Sequence, residues 1–232
     1  MINKYKKNIV MFSGGKDSTA MLLMMIKKDI KIDEIIFADT TKEFPEIYKH
    51  ITQLEKSIKI NITRIRINFE YWFKDHIKTK GKNKGKQGYG WMDFMNRWCT
   101  TLKRDKIRQY LNKKYNKNDI TEFHGIAYNE IHRLTNNKNR NILYPLVKWK
   151  CTEKDNLKYC YKNNFTWEGL YESLERVSCY LCPLKKLGEI KYIYQNYPKY
   201  WENMKKLDKY SVRDFRSDYT LQELEHKFKK DR

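Results

Sequence analysis

The stretch Ile9-Val10-Met11-Phe12-Ser13-Gly14-Gly15-Lys16-Asp17-Ser18-Thr19-Ala20-Met21-Leu22-Leu23 decides how this chain folds. Its first four residues are an apolar run of strand length. Ser13-Gly14-Gly15 breaks that run, and Asp17 to Lys28 then reads as a helix packed with Ala20, Met21, Leu22, Leu23, Met24, Met25 and Ile26. Strand, tight loop and buried helix in that order open a βαβ unit, and open α/β sheets bind ligands where such a strand ends and such a helix begins. Glycines let the backbone approach phosphate oxygens, the helix start presents N–H groups, and Lys16 and Ser18 add donors. Residues 13–18 therefore read as an anion cradle. It is not a Walker A loop, G-x-x-x-x-G-K-S/T, because Val10 stands five residues before Gly15 and Asp17 follows Lys16.

Working outward, Glu34 to Ala38 reads as a second strand, Pro45 to Ile58 as a helix with proline in its first turn, and Ile62 to Ile67 as a third strand. Nearly continuous apolar strands alternating with helices imply an α/β fold, a Rossmann-like parallel sheet with helices on both faces. Lys78 to Gly90, rich in lysine and glycine, reads as a mobile basic loop. Thr101 to Tyr115 is expected to be helical, Ile120 to Ile126 a fourth strand, and Ile142 to Val147 a fifth with Pro145 at an edge or bulge. After Cys151 the pattern turns helical with aromatic punctuation. The expected division is an α/β nucleotide-binding domain over 1–150 and a helical C-terminal appendage with a cysteine pair over 151–232.

Composition narrows the function classes. The 232 residues carry 49 Lys+Arg against 28 Asp+Glu, a net charge of +21, with 40% hydrophobic and 15% aromatic content. That excludes disorder and leaves ample material for a core. The longest strongly apolar run, Ala20 to Ile26, is too short for a bilayer, so a soluble cytoplasmic protein with no membrane partner is expected. The charge points to an anionic partner, nucleic acid ahead of membrane, although a lysine-rich genome would produce the same surplus. Five cysteines, an odd number, argue for reduced thiols or metal ligands over a disulfide framework.

Cys179-Tyr180-Leu181-Cys182 is a C-x-x-C knuckle, and Cys99 and Cys160 can complete a four-thiolate site suited to tetrahedral zinc or an iron-sulfur cluster, with Cys151 spare. A thioredoxin-like redox role fits poorly, since that motif belongs at a helix start after a strand.

The motif Ser-Gly-Gly-Lys-Asp-Ser after the first strand resembles the PP-loop of the ATP pyrophosphatases, the adenine nucleotide alpha hydrolase superfamily. Asp39-Thr40-Thr41-Lys42-Glu43-Phe44-Pro45-Glu46 resembles the D-T-G-x-E-F-P-E-T box of the phosphoadenosine phosphosulfate (PAPS) reductase family. Cys99 to Lys103 is similar to that family's C-x-x-x-K segment, and Gly125 to Arg133 to its later box ending in E-x-x-R. The likeness runs in order over about residues 8 to 190. One departure is Thr41, where the family usually has glycine. The resemblance implies that Ser13, Gly14, Gly15, Lys16, Asp17 and Ser18 hold the phosphates of ATP, with Asp39 near the nucleotide. It implies further that Lys16, Asp17, Lys103 and Arg133 serve catalysis, and that Asp17 helps to hold Mg²⁺. It also implies a [4Fe-4S] cluster on Cys99, Cys160, Cys179 and Cys182, as in assimilatory adenylylsulfate reductases and DNA phosphorothioation sulfurtransferases, with zinc as the alternative. With three ligands, one iron would stay open to hold sulfide, as in PP-loop tRNA thiolases.

The family's reductases use a nucleophilic cysteine in a C-terminal E-C-G-I/L-H motif, and no cysteine follows Cys182. The expectation is therefore an adenylating, sulfurtransferase-like enzyme that splits ATP to AMP and pyrophosphate, acts on RNA or DNA, and can draw on a sulfur donor such as a cysteine desulfurase. Lys78 to Lys86 with Tyr89, Trp91, Arg97 and Trp98 would bring the nucleic acid to Cys99, or else form a lid over the nucleotide. A sulfonucleotide reductase, or a non-catalytic nucleotide sensor in a mobile-element or defence system, is the alternative. Nothing in the sequence sets an oligomeric state.

Overall fold

β-Branched and aromatic runs bounded by polar turns form the strands, and the longer 3.6-residue patterns form the helices. In the computed structural model, which describes residues 6–134 and 140–230, the chain runs β1 (Lys7–Phe12), α1 (Lys16–Lys27), β2 (Glu34–Asp39), α2 (Pro45–Ile58), β3 (Ile62–Arg66), α3 (Trp98–Lys114) and β4 (Ile120–His124). It continues through β5 (Ile142–Leu143), the short α4 (Pro145–Lys148), α5 (Glu153–Lys162), the short α6 (Leu170–Ser173), α7 (Leu187–Asn196), α8 (Pro198–Asp208) and α9 (Leu221–Lys230). The five strands are parallel in the order β3-β2-β1-β4-β5, the sheet expected from the sequence. Val10, Phe12, Ile35 and Phe37 point to the face covered by α1 and α2, while Ile9 and Ile36 point to the face covered by Leu111 of α3. Burying both faces explains why the middle of β2, Ile35 to Ala38, is apolar without a break.

Strand order reverses at β1. Phe12 pairs in register with Phe37 of β2 on one side, and Met11 with His124 of β4 on the other. The loop after β1 therefore opens at a topological switch point, where no neighbouring crossover fills the crevice.

Two local expectations need correcting. Residues 142–147 do not continue as a strand: β5 stops at Leu143, because Pro145 with its fixed φ starts α4 at the first helical position. The lysine-rich stretch, expected as a loop, is a closed hairpin. Lys78 N–H donates to Lys86 O at 3.0 Å, Gly85 N–H to Lys78 O at 2.8 Å, and Ile77 bridges Gln87 antiparallel. Gly88, at φ +63°, lies so close to the Phe73 carbonyl that a Cβ would stand 2.5 Å from it, which seats the hairpin on residues 71–75. No helix among the described residues is long and apolar enough to cross a membrane.

Candidate functional site

The phosphate loop is built by two close approaches. Gly14 sits at φ +79°, and a Cβ there would lie 2.9 Å from Ile47 of α2. From the other side Gly125, just past β4, comes so near α1 that a Cβ would be 2.9 Å from the Ser18 Cα. Within the loop, Ser13 N–H donates to Ser18 Oγ at 3.2 Å and Ser18 Oγ donates to Gly15 O at 3.1 Å. The N-cap, Gly15, makes no side-chain cap, so the helix start faces the crevice with its own N–H groups. One of them is engaged: Lys16 N–H donates to Tyr171 Oη at 2.7 Å.

Carboxylates surround the loop's lysine. Lys16 Nζ donates to Glu153 Oε1 at 2.8 Å and to Asp17 Oδ2 at 3.2 Å, and Asn156 Nδ2 donates to Asp17 Oδ1 at 2.8 Å. Asp17, Glu130 and Glu153 each bring a carboxylate oxygen within 4.8 Å of the others. Arg133 Nη1 donates to Glu130 Oε1 at 2.5 Å, so Arg133 reaches this cluster through its partner. Burial pushes the Asp17 carboxyl above its usual range despite the pull of Lys16 and Asn156. Burial pulls Lys16 down, but Asp17 and Glu153 outweigh it and leave the ammonium raised. Hard oxygen donors beside a phosphate cradle match the donor set of Mg²⁺.

Asp39, at the end of β2 beside this loop, accepts from Thr41 N–H at 2.7 Å and from Tyr48 Oη at 2.8 Å. Thr41 adopts φ +61°, the left-handed region. The family's usual glycine and this threonine thus occupy the same turn, and the threonine holds it under strain.

A second cavity, about 170 Å³, opens at Thr40, the residue after β2, and is lined also by Arg97, Cys99, Lys103, Cys179 and Cys182, among others. Cys99 lies in the first turn of α3, and Tyr180 N–H donates to Lys42 O at 3.1 Å, which ties the C-x-x-C knuckle to the loop after β2. Glu43, buried, accepts from Lys103 Nζ at 2.8 Å and from Thr40 Oγ1 at 2.9 Å. Burial pushes the Cys99 thiol up, helped by Cys182 and opposed by Lys103, and burial likewise raises Cys179. Such thiols stay protonated and inert until a metal displaces the proton. The three sulfurs line one cavity, but among the described residues no cysteine trio falls within 4.8 Å of one another. Thiolates on one zinc lie about 3.8 Å apart, from Zn–S bonds of about 2.3 Å at tetrahedral angles.

The structure does not bring all the expected residues together. Cys160 must be corrected: it lies on α5, fully buried against α1, its Sγ 3.4 Å from the Lys16 carbonyl, and it packs beneath the phosphate loop. Lys103 faces the thiols and Glu43. Cys151 stands apart, 4.0 Å from the Met24 sulfur. Sequence reading missed Glu153, Asn156 and Tyr171, whose ordinary helical contexts carry no local signal. It also left Glu43 and Glu130 unassigned inside motifs it had quoted.

The phosphoadenosine phosphosulfate reductase domain family matches residues 7–185. Two uncharacterized proteins of Methanocaldococcus jannaschii are similar, one 30% identical over 211 residues (86% of this chain, 41% of the relative) and one 30% identical over 200 residues (81% and 44%). The chain thus spans less than half the length of these relatives. Among solved structures, the U34-tRNA thiolase NcsA from Methanococcus maripaludis with its [4Fe-4S] cluster is similar at a TM-score of 0.48 and 12% identity, over 97% of this chain and 72% of that one. With three quarters of its length matched in order and the cradle, the Asp39 turn and the Gly125 box in place, the chain belongs to the phosphoadenosine phosphosulfate reductase domain family.

Proposed function

We propose that the chain is an ATP-dependent sulfurtransferase-like enzyme that cleaves ATP to AMP and pyrophosphate and replaces an oxygen of a nucleic-acid acceptor by sulfur. The observation that carries this reading is the single turn 39–43 shared by two sites. Asp39 ends beside the phosphate loop, while Thr40, through Glu43 and Lys103, edges the cavity of Cys99, Cys179 and Cys182. A nucleotide at the switch point and a thiol-bound group would thereby lie side by side.

In the proposed reaction the acceptor oxygen attacks the α-phosphorus and pyrophosphate leaves. A sulfide sulfur then attacks the acceptor, and AMP departs with the acceptor's oxygen; a cysteine desulfurase together with a thiol reductant would supply that sulfide. The cradle of residues 13–18 and the helix start would bind the departing pyrophosphate. Asp17, Glu130 and Glu153 would hold Mg²⁺, with Lys16 released from them onto the phosphates and Arg133 holding Glu130 in place. Cys99, Cys179 and Cys182 would hold a [4Fe-4S] cluster, which when bound supplies an iron position able to keep sulfide near the acceptor. Reduction of a sulfonucleotide would need a reactive thiolate at the nucleotide. Among the described residues the thiol nearest the loop, Cys160, is buried and raised by that burial, so it does not supply one.

Product analysis tests this. Anaerobically prepared protein given ATP, Mg²⁺, sulfide and bulk tRNA or DNA should release AMP and pyrophosphate and yield sulfur-labelled nucleic acid. ADP and phosphate as products would overturn the cleavage, and label remaining in small molecules would overturn the acceptor.

A further inference from the structure

Next to the thiol cavity, and sharing Met92 and Leu184 with it as walls, runs an open groove of about 550 Å³. Volumes of this order hold molecules of nucleotide size. Its walls are firmly built. Trp91 Nε1 donates to Asp208 Oδ1 at 2.6 Å, its backbone N–H donates to Ser211 Oγ at 3.1 Å, and its ring meets Phe73 and Phe215 edge-on. Across the groove, Arg216 Nη1 donates to the carbonyls of Pro183 and Lys185, both at 2.8 Å, and so fixes the turn that follows Cys182.

The lip is built differently. Phe94 lines the groove with 80% of its surface exposed, and Met95 beside it is 96% exposed, although Trp91 and Trp98 at the two ends of this short segment are buried. A large aromatic ring held in water at the mouth of a rigid groove is not a core residue. Around it are cations whose partners are exposed carboxylates: Arg213 with Asp93 at 2.5 Å, and Lys186 with Glu175. Ion pairs of that kind contribute about 1 kcal/mol or less, so a phosphate can take the carboxylate's place. Lys78 of the hairpin, already disfavoured as a cation by burial, stands near enough to both Arg213 and Lys86 for its charge to be repelled by each. An anionic chain is the partner that relieves this crowding.

We infer that this groove receives unpaired nucleotides of a single-stranded nucleic acid, with a base stacked on Phe94 and the phosphates directed to Arg213, Lys186 and the Lys78 to Lys86 hairpin. The inference rests on the nucleic-acid reading above and adds to it the class of acceptor and the path to the thiols. A base inside a duplex has both faces covered by its neighbours and cannot offer one to Phe94, whereas an unpaired base can.

The test is fluorescence anisotropy with a labelled oligothymidylate of about 12 nucleotides, within the usual site sizes for single strands, against a duplex of the same length. The single strand should bind more tightly than the duplex. Phe94→Ala should weaken single-strand binding by about 5- to 100-fold, the usual worth of one base stacked on an aromatic ring, without changing the salt dependence or the melting temperature. Phe94→Tyr should restore it, and Arg213→Ala should flatten the salt dependence by about 0.7 in log–log slope. Equal affinity of Phe94→Ala and the parent, or a preference for duplex, would overturn the inference and leave the nucleic-acid reading standing. Absence of binding to either probe at low salt would overturn both.

Discussion

Lys16 Nζ lies 2.8 Å from Glu153 Oε1, an ion pair across 137 positions of sequence that joins the first turn of α1 to the first turn of α5. The lysine of the phosphate loop is therefore held by carboxylates, and an arriving phosphate competes with Glu153 and Asp17 for it.

Asp17 is half-buried and desolvation raises its carboxyl, while the unfolded chain ionises it near 3.9. Ionised Asp17 therefore opposes folding at neutral pH and has no such effect below both values. Asp17→Asn should melt no lower than the parent at pH 7, with any gain vanishing as the pH falls toward about 4, while pyrophosphate release drops by about 100-fold or more. A clearly lower melting temperature at pH 7 would contradict this account of the site.

His50 lies beneath the loop, its ring 4.3 Å from that of Trp167 and its Nε2 2.9 Å from Thr19 Oγ1. Burial pushes its pKa down to about 3, against an ordinary value of 6.5. The unfolded chain takes up this proton below about pH 6.5 and the folded chain does not, so stability falls as the pH drops through that window toward 3. The loss attributable to His50 is about 2 kcal/mol at pH 5. Denaturant melts at pH 7 and pH 5 should show it, and His50→Leu should remove most of the difference; an unchanged difference would place the titration elsewhere.

The three-thiol site predicts an uneven response to cysteine substitution. Cys99→Ala, Cys179→Ala and Cys182→Ala should lose bound iron. Cys160→Ala should keep it and cost only about 1–2 kcal/mol of packing, the order expected for a small buried side chain. Iron and sulfide analysis of anaerobically purified variants decides, and iron loss in Cys160→Ala would restore the four-thiolate set.

Thr41 holds a left-handed conformation that its β-branched side chain disfavours, with its N–H fixed on Asp39 Oδ1. Thr41→Gly relieves that strain and keeps the hydrogen bond, so it should stabilise the fold by up to about 1 kcal/mol after the entropy of the added glycine. Equilibrium unfolding reads this directly, and a destabilised variant would refute the strain.

If about six lysines from Lys74 to Lys86 each neutralise one phosphate, log K for duplex DNA should fall against log salt with a slope near −5, and less steeply for single strands. Reversing four of those charges should flatten the slope and leave ATP affinity nearly unchanged. An unchanged slope would remove the hairpin from the interface.

The sequence by itself determined the features that are local. The apolar run at Ile9, the two glycines, Lys16 at a helix start and the alternation that follows identify a parallel α/β sheet and its phosphate loop, because strand period, helix period and loop chemistry act within a few residues. The C-x-x-C pair was legible for the same reason. Only the tertiary structure decided which distant residues meet. Cys99 joins Cys179 and Cys182 because α3 and the knuckle both close on the turn after β2. Cys160, equally plausible by spacing, is turned under α1 by the packing of α5. Glu153 reaches Lys16 through that same packing, and Lys103 reaches Glu43 because α3 closes on the turn after β2. A side chain's long-range partner depends on how whole elements bury their apolar faces against one another, and no pattern within a single segment encodes it.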